Sequence, residues 1–224
     1  MKKILFIVAH PDDELIGCGG TLIKYCNSGH NVHVLILSAG ITSREIEENK
    51  TIEEIDKLKC AAENASKLIG YNVNFECLPD NKFDSINLLD IVKIIELWID
   101  AINPDVVFTH NYSDLNIDHK ITFKAVLTAI RPCIYNVKEF YTFTTLSSSE
   151  WQSPSLQKFK PNYFIRLDEK IINTKQTALK FYQDEIRQEP HPRSIYNIIN
   201  KSKVDGSIIC SDYAEIFEAI RIIE

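Results

Sequence analysis

Residues 4–14 read ILFIVAHPDDE, and this stretch decides the fold of the chain. Residues 4–9 form a continuous apolar run, which is typical of a strand buried on both faces of a parallel sheet. The run ends at Ala9, and a turn signal at Pro11 and acidic residues follow it. We therefore predict a central strand that delivers polar side chains to one edge of a sheet.

Alternating helices and strands follow this first strand. Apolar residues recur at helical spacing over residues 15–26, and residues 31–37 form a β-branched run, so the start of the chain predicts a βαβ unit. The pattern continues with strands over 73–77 and 105–109 and with helices over 52–68, 88–102 and 121–130. The predicted fold class is therefore α/β, a Rossmann-like, doubly wound and mostly parallel sheet with helices on both faces.

The last third of the chain has a less regular pattern. We predict strands over 140–144 and 163–167, a helix over 168–182 and a last helix over 213–223. A Ser-rich stretch, residues 145–155, lies between the two strands and reads as a lid or a loop. No segment has the composition of a linker, so we expect a single domain over residues 1–224.

Composition excludes several classes of protein. Hydrophobic residues make up 45% and charged residues 25%, which is typical of a globular chain. The net charge of -6 and the lack of a basic run argue against nucleic acid as a partner. No segment is long and apolar enough to predict membrane insertion. Six cysteines without a Cys-x-x-Cys pair indicate reduced thiols, and we expect a cytoplasmic location.

Histidine and aspartate residues follow two of the predicted strands. His10 and Asp12-Asp13-Glu14 follow the first strand, and residues 111–119, which end in Asp118-His119, follow the fourth. Loops at the carboxyl ends of parallel strands converge on one crevice. An imidazole and a carboxylate three residues apart, joined by a distant imidazole, provide three ligands and leave a position open on a zinc ion. This pattern predicts a catalytic zinc site.

Two other interpretations of the same residues fit the pattern less well. Acidic side chains at a helix start commonly cap the helix, but capping does not explain His10 beside them. A dinucleotide site is disfavoured because Gly17-Cys18-Gly19-Gly20 lacks the G-x-G-x-x-G spacing and lies inside the predicted helix.

The motifs resemble those of a known family. Residues 9–14, Gly17 to Thr21 and Asp118-His119 are similar to the motifs of the PIG-L/LmbE family of zinc-dependent N-acetylglucosaminyl deacetylases, and the likeness extends to residues 78–80 and 190–194. The resemblance implies one Zn²⁺ per chain, removal of an N-acetyl group from an amino sugar, and release of acetate. It implies that His10, Asp13 and His119 bind zinc and that Asp12 is the catalytic base.

One position departs from the family pattern. Many members have a second histidine where this chain has Asn116, and asparagine can hydrogen-bond a substrate but cannot supply a proton. In relatives an aspartate at the place of Asp118 can orient that histidine by contacting its imidazole ring. The proton could come from His191, from His110, or from Asp12 acting as both base and acid. We favour His191, which in some relatives would have a counterpart contributed by a neighbouring subunit.

Two further residues are expected to contact the substrate. Arg44 and Asp80 follow the second and third strands and suit sugar hydroxyls. The expected partner is a small N-acetylated sugar, and a homo-oligomer is left open.

The alternative functions are a deacetylase of a thiol-cofactor precursor and a catalytically silent sugar-binding or metal-binding protein. The presence of Asp12 argues against the silent protein, because a site that only binds has no need of a base.

Overall fold

The computed structural model describes residues 1–38, 40 and 48–224, with the side chains of 48–51 not included. Seven strands and six helices lie in these ranges. In chain order they are β1 (Lys3–Val8), α1 (Asp13–Asn27), β2 (Asn31–Ser38), α2 (Glu48–Ile69), β3 (Asn72–Leu78), α3 (Leu88–Ile102), β4 (Val106–His110), α4 (Ile117–Ala129), β5 (Glu139–Phe143), β6 (Tyr163–Leu167), α5 (Glu169–Leu179), α6 (Ile195–Ser207) and β7 (Tyr213–Ile222).

The strands form one sheet in the order β3-β2-β1-β4-β5-β7-β6. The first five of these are parallel, whereas β7 runs antiparallel to both β5 and β6. Strand β1 lies near the middle with β2 and β4 as neighbours, and residues 4–8 of it are fully buried. The predicted Rossmann-like, mostly parallel sheet is confirmed, as are the six strands predicted from the sequence.

Each face of the sheet has its own hydrophobic core. Ile4, Phe6 and Val8 of β1 pack with residues of α1, α2, α5 and α6, whereas Leu5 and Ile7 pack with residues of α3 and α4. This alternation explains why the whole run is apolar, because successive side chains point to opposite, covered faces. None of the helices in the described ranges combines the length and apolar character needed to span a bilayer.

The predicted last helix over 213–223 is wrong, because this segment is strand β7. Its apolar and acidic residues, YAEIFEAIRI, can be read at helical spacing. The acidic Glu215 obscures the alternation of apolar and polar residues that would indicate a strand. Glu215 is nevertheless buried, and it forms an ion pair with the buried Lys175 at 2.8 Å. Pairing with β5 and β6 on both sides decides the conformation over local propensity.

Helix α6 was not predicted from the sequence. It begins after Ser194, whose hydroxyl accepts the Asn197 N–H at 3.1 Å as an N-cap. The segment just before it contains Pro190, His191 and Arg193. The helix therefore holds the end of this segment in place.

Candidate active site

The site lies at the carboxyl edge of the parallel strands. Because β1 and β4 are neighbours, His10 after β1 and the loop after β4 meet at this edge. Asn116 begins α4 as its N-cap, and its side-chain oxygen accepts the N–H groups of Asp118 at 2.8 Å and His119 at 3.4 Å. The cap turns His119 back toward β1.

Three side-chain atoms form a nearly equilateral triangle. His10 Nδ1 lies 3.3 Å from His119 Nε2 and 3.3 Å from Asp13 Oδ2, and His119 Nε2 lies 3.2 Å from the same Asp13 oxygen. Asp13 and His119 are fully buried, whereas the side chain of His10 is 14% exposed. The three residues that were expected to bind zinc are thus brought together.

The triangle has the size and chemistry that a zinc ion requires. Zinc bonds to nitrogen of about 2.0–2.1 Å in a tetrahedron place neighbouring ligand atoms about 3.3 Å apart. Two imidazole nitrogens and one carboxylate oxygen are suitable zinc ligands. Within the described residues, Asp13 Oδ1 is buried without a hydrogen-bond partner, as in a site that still needs a positive charge. The residues therefore fit a divalent cation.

A carboxylate stands behind each of the two histidines. His10 Nε2 lies 3.1 Å from Asp118 Oδ2 and 3.2 Å from Asp80 Oδ1, and His119 Nδ1 lies 3.2 Å from Asp114 Oδ2. Such outer carboxylates orient metal-binding imidazoles and fix which nitrogen faces the metal. Sequence reasoning missed Asp114, although it lies in the loop that was singled out.

Asp118 has a different partner from the one expected. Its Oδ2 accepts the Asn81 N–H at 2.6 Å, and its Oδ1 accepts the Phe83 N–H at 3.0 Å. The carboxylate therefore ties the loop after β3 to α4 while it contacts His10. In the described structure Asp118 therefore supports both His10 and the loop after β3.

His110 serves as a buried support for His119. The Ala9 N–H donates to His110 Nε2 at 2.9 Å, so the ring proton is on Nδ1, which lies 3.2 Å from the Thr145 hydroxyl. The His110 and His119 rings stack with centroids 3.8 Å apart. Burial and the neighbouring His119 lower the pKa of His110 to about 4. A neutral, fully buried ring with both nitrogens engaged is poorly placed to donate a proton to substrate.

The candidate base, Asp12, has a constrained backbone. Its φ of 103° lies in a region that side chains rarely adopt, and its N–H donates to Glu14 Oε2 at 3.1 Å. Glu14 is itself held by the Tyr182 hydroxyl, which donates to Oε1 at 2.7 Å. Burial raises the pKa of Glu14 to about 7, against the effect of the Tyr182 hydrogen bond.

The charged partner of Asp12 is Arg193. Nη1 of Arg193 donates to Asp12 Oδ2 at 3.1 Å, and the two residues are 181 positions apart. The sequence places Arg193 in a motif of the resemblance but contains no signal that it meets Asp12, since that depends on how the C-terminal segment folds back.

Each of the other described residues that were expected at the site has a contact partner. Asp80 touches His10. The side-chain amide of Asn116 donates to Asn81 Oδ1 at 3.2 Å. His191 Nδ1 accepts the Arg193 N–H at 3.1 Å, and its ring meets Trp151 edge-on with centroids 5.7 Å apart. Arg44 lies outside the described residues.

A cavity of about 170 Å³ opens beside these groups. His10, Asp12, Asp80, Asn116 and Arg193 contribute to its wall. The cavity therefore joins one expected metal ligand, the candidate base and two expected substrate contacts in one space. His191 lies next to Arg193 in the chain but does not line this cavity in the described structure.

The fold and the site together define a Rossmann-like α/β protein with three convergent candidate ligands for a cation and an adjacent carboxylate. A family model described as PIG-L, GlcNAc-PI de-N-acetylase, matches residues 5–130. This match covers more than half of the chain, which therefore belongs to the PIG-L family of deacetylases.

Two relatives show how far the similarity extends. The chain is 26% identical over 184 residues to the uncharacterized deacetylase YaiS of Escherichia coli (strain K12), which covers 80% of this chain and 89% of that protein. It is 35% identical over 183 residues to a 1D-myo-inositol 2-acetamido-2-deoxy-alpha-D-glucopyranoside deacetylase of Mycobacterium sp. (strain JLS), covering 66% and 56% respectively. The match thus spans about half the length of the second relative.

Solved structures share the fold. The N,N'-diacetylchitobiose deacetylase from Pyrococcus horikoshii superposes with a TM-score of 0.78 at 18% identity, covering 98% of this chain and 84% of that one. GalB, the 4-carboxy-2-hydroxymuconate hydratase from Pseudomonas putida KT2440, superposes with a TM-score of 0.74 at 18% identity, covering 100% and 99%. Because one fold carries both activities, function must be argued from the site.

Proposed function

We propose that this protein is a zinc-dependent hydrolase that removes the N-acetyl group from an N-acetylglucosamine-type amino sugar or its conjugate. The observation that carries the proposal is the triangle of His10, Asp13 and His119 with the carboxylate of Asp12 beside it. Amide hydrolysis needs an activated carbonyl, a base for the attacking water and a proton for the leaving nitrogen. The site offers groups for the first two needs.

Held by the triangle of His10, Asp13 and His119, a divalent cation would supply Lewis acidity, which would polarise the amide carbonyl and make water a better nucleophile at neutral pH. Asp12 would accept the proton of the attacking water, since it lines the cavity and is not one of the three triangle residues. The ion pair with Arg193 supports the charged carboxylate in a buried place. Cleavage of the C–N bond leaves acetate and an amine that needs one proton.

Three groups were considered as the source of that proton, and the contacts of His110 make it the weakest candidate. His110 is buried and neutral with both ring nitrogens engaged. We retain His191 as the proposed donor, because it lies in the same segment as Arg193 and is partly exposed. Asp12 returning its own proton is the remaining route. For His191 to act, its side chain must turn toward the cavity when substrate is bound, while the backbone of the segment keeps its position.

The substrate class is inferred from the polar cavity wall and the relatives. The mycobacterial and Pyrococcus relatives are named for N-acetylated sugars, a glucopyranoside and diacetylchitobiose. Asp80 and Asn116 line the cavity and can hydrogen-bond sugar hydroxyls, and Arg44 is proposed for the same role. A thiol-cofactor precursor that contains an N-acetylated sugar falls within this class.

Release of acetate from a panel of N-acetylhexosamine conjugates tests the proposal. Zinc-loaded protein should release acetate from at least one conjugate, and a chelator or Asp13→Ala should abolish the release. His191→Ala should lower the rate while zinc content stays the same if His191 donates the proton. No acetate from any conjugate, with zinc bound, would instead favour the silent sugar-binding or metal-binding protein.

A further inference from the structure

Arg193 connects the candidate base to a second segment of the chain. Its Nη1 donates to Asp12 Oδ2 at 3.1 Å, and its Nε donates to the Ser147 hydroxyl at 2.6 Å and contacts the Leu146 carbonyl at 3.4 Å. One guanidinium therefore bridges the turn after β1 and the Ser-rich stretch 145–155. It also forms part of the cavity wall.

The backbone around Arg193 is well fixed. Its N–H donates to His191 Nδ1 at 3.1 Å, and its carbonyl accepts the Arg187 N–H at 3.3 Å. The next residue, Ser194, caps α6. Ser147 is held as well, because its N–H donates to Glu150 Oε1 at 2.7 Å. The Arg193 side chain thus extends from a restrained backbone to a residue whose backbone is also restrained.

The Asp12 carboxylate depends on Arg193 for its orientation. The hydrogen bond to Glu14 fixes the backbone of Asp12, and it leaves rotation of the carboxylate unrestrained. That terminal torsion is broad in aspartate side chains. In the described part of the chain, the hydrogen bond that holds the carboxylate is the one from Arg193 to Oδ2. The other oxygen, Oδ1, is then the atom left to accept a proton.

We propose that Arg193 is a positioning residue for the reaction, which holds Oδ2 of Asp12 so that Oδ1 faces the attacking water. The inference rests on the proposed deacetylase function. It assigns to the C-terminal segment a role in aligning a base that the N-terminal motif supplies. Ser147 contributes by fixing the opposite end of the guanidinium.

The planar arrangement of N–H donors on the guanidinium is essential to this role. Nε and Nη1 bond two partners at once, whereas the single ammonium of lysine on its flexible stem cannot reproduce that planar arrangement. Arg193→Lys should therefore lose most of the positioning, although the positive charge stays. Ser147→Ala should cause a smaller loss of the same kind, because Asp12 keeps its ion pair.

Kinetics on the zinc-loaded protein test the proposal. Arg193→Ala and Arg193→Lys should each lower kcat by about tenfold or more, short of the loss of about 10² to 10⁴ that removal of a general base causes. KM and zinc content should change little, and added methylguanidinium should restore part of the activity of Arg193→Ala. Arg187→Ala is the matched control, since its exposed side chain contacts the Asp184 carbonyl in the same segment. Unchanged kcat, or a loss confined to KM, would overturn the role.

A second measurement separates this inference from the proposed function. In protein labelled with ¹⁵N-arginine, the side-chain resonance that disappears in Arg193→Lys should shift in Asp12→Asn, and the Arg187 resonance should not. This readout needs no substrate. If wild-type protein releases no acetate and the Arg193 resonance shifts, the proposed deacetylation fails and the link between Arg193 and Asp12 stands. A resonance that does not respond to Asp12→Asn would overturn the link itself.

Discussion

Asp12 and Asp13 carry the same side chain at adjacent positions, and the fold gives them opposite environments. Burial opposes ionisation of Asp13, but His119, His110 and His10 around it hold its pKa well below the usual range. Burial raises the pKa of Asp12 well above the usual range, and Arg193 only partly offsets this. Neighbouring carboxylates with separated pKa values suit different roles, here those proposed for Asp13 as a metal ligand and for Asp12 as a proton acceptor.

Asp12→Asn separates these roles. The amide keeps the size of the side chain, so fold and zinc content should stay close to those of the wild type, and turnover should fall by about 10² to 10⁴ because the base is lost. Acetate release and elemental analysis of the same samples give the result. Asp56→Asn is the control, since it makes the same chemical change at an exposed position of α2. Turnover near the wild-type value would show that another group activates the water.

Zinc affinity should depend steeply on pH. Burial disfavours a charged His119, yet Asp13 and Asp114 raise its pKa in the metal-free protein to about 9. Zinc binds the neutral imidazole, so below that pH binding must release this proton, and the association constant should rise at least about tenfold per pH unit. Competition with a chelator between about pH 6 and about pH 8, corrected for the chelator's own protonation, measures the slope. Affinity that does not change with pH would contradict the protonated state of His119.

At the scale of elements, strand β7 caps the second part of helix α1 in addition to pairing within the sheet. Helix α1 is kinked at Cys18, where φ is -147°, and a second helical part begins there. The first N–H groups of that part, on Gly20 and Thr21, donate to the Glu215 carboxylate at 2.8 and 2.7 Å. Glu215 thus acts as an anionic cap supplied by another element. A Cβ on Gly20 would lie 2.4 Å from Leu167 Cδ1, so the glycine permits this close approach.

Glu215→Ala should destabilise the protein strongly. It would leave the buried ammonium of Lys175 without its charged partner and two helix N–H groups without an acceptor, which costs about 3–5 kcal/mol for a broken buried pair. Urea unfolding measures the change in free energy. Lys201→Ala breaks the partly exposed pair with Asp205 and should cost less than about 1 kcal/mol. Equal small losses in both variants would show that the buried network contributes little.

The same strand shows where prediction from sequence fails. The strands β1 to β6 were predicted because their apolar runs are continuous or bounded by clear turns, and tertiary contacts agree with those local signals. In β7 a buried glutamate interrupts the pattern, and its role is visible only when Lys175 and the kink of α1 are placed beside it. Local periodicity carries no information about such distant partners.

Across the whole molecule, the sequence predicted the two loops that converge but not all of the groups that support them. His10, Asp13 and His119 were recognisable because each follows a predicted strand in a motif. The contact of Asp114 with His119 and that of Arg193 with Asp12 depend on how α4 and the C-terminal segment pack. The single domain over 1–224 and the role of Arg44 remain predictions.

The position of the bound metal tests the central claim most directly. A second group of side chains, in which His10 Nε2 faces Asp80 and Asp118, also brings three ligand atoms together, although Asp118 already accepts two backbone N–H groups. Crystals of the zinc-loaded protein, measured on both sides of the zinc absorption edge, should give one strong anomalous peak per chain among His10 Nδ1, Asp13 Oδ2 and His119 Nε2. A peak at the second group, or no peak at either, would contradict the assignment of the metal site.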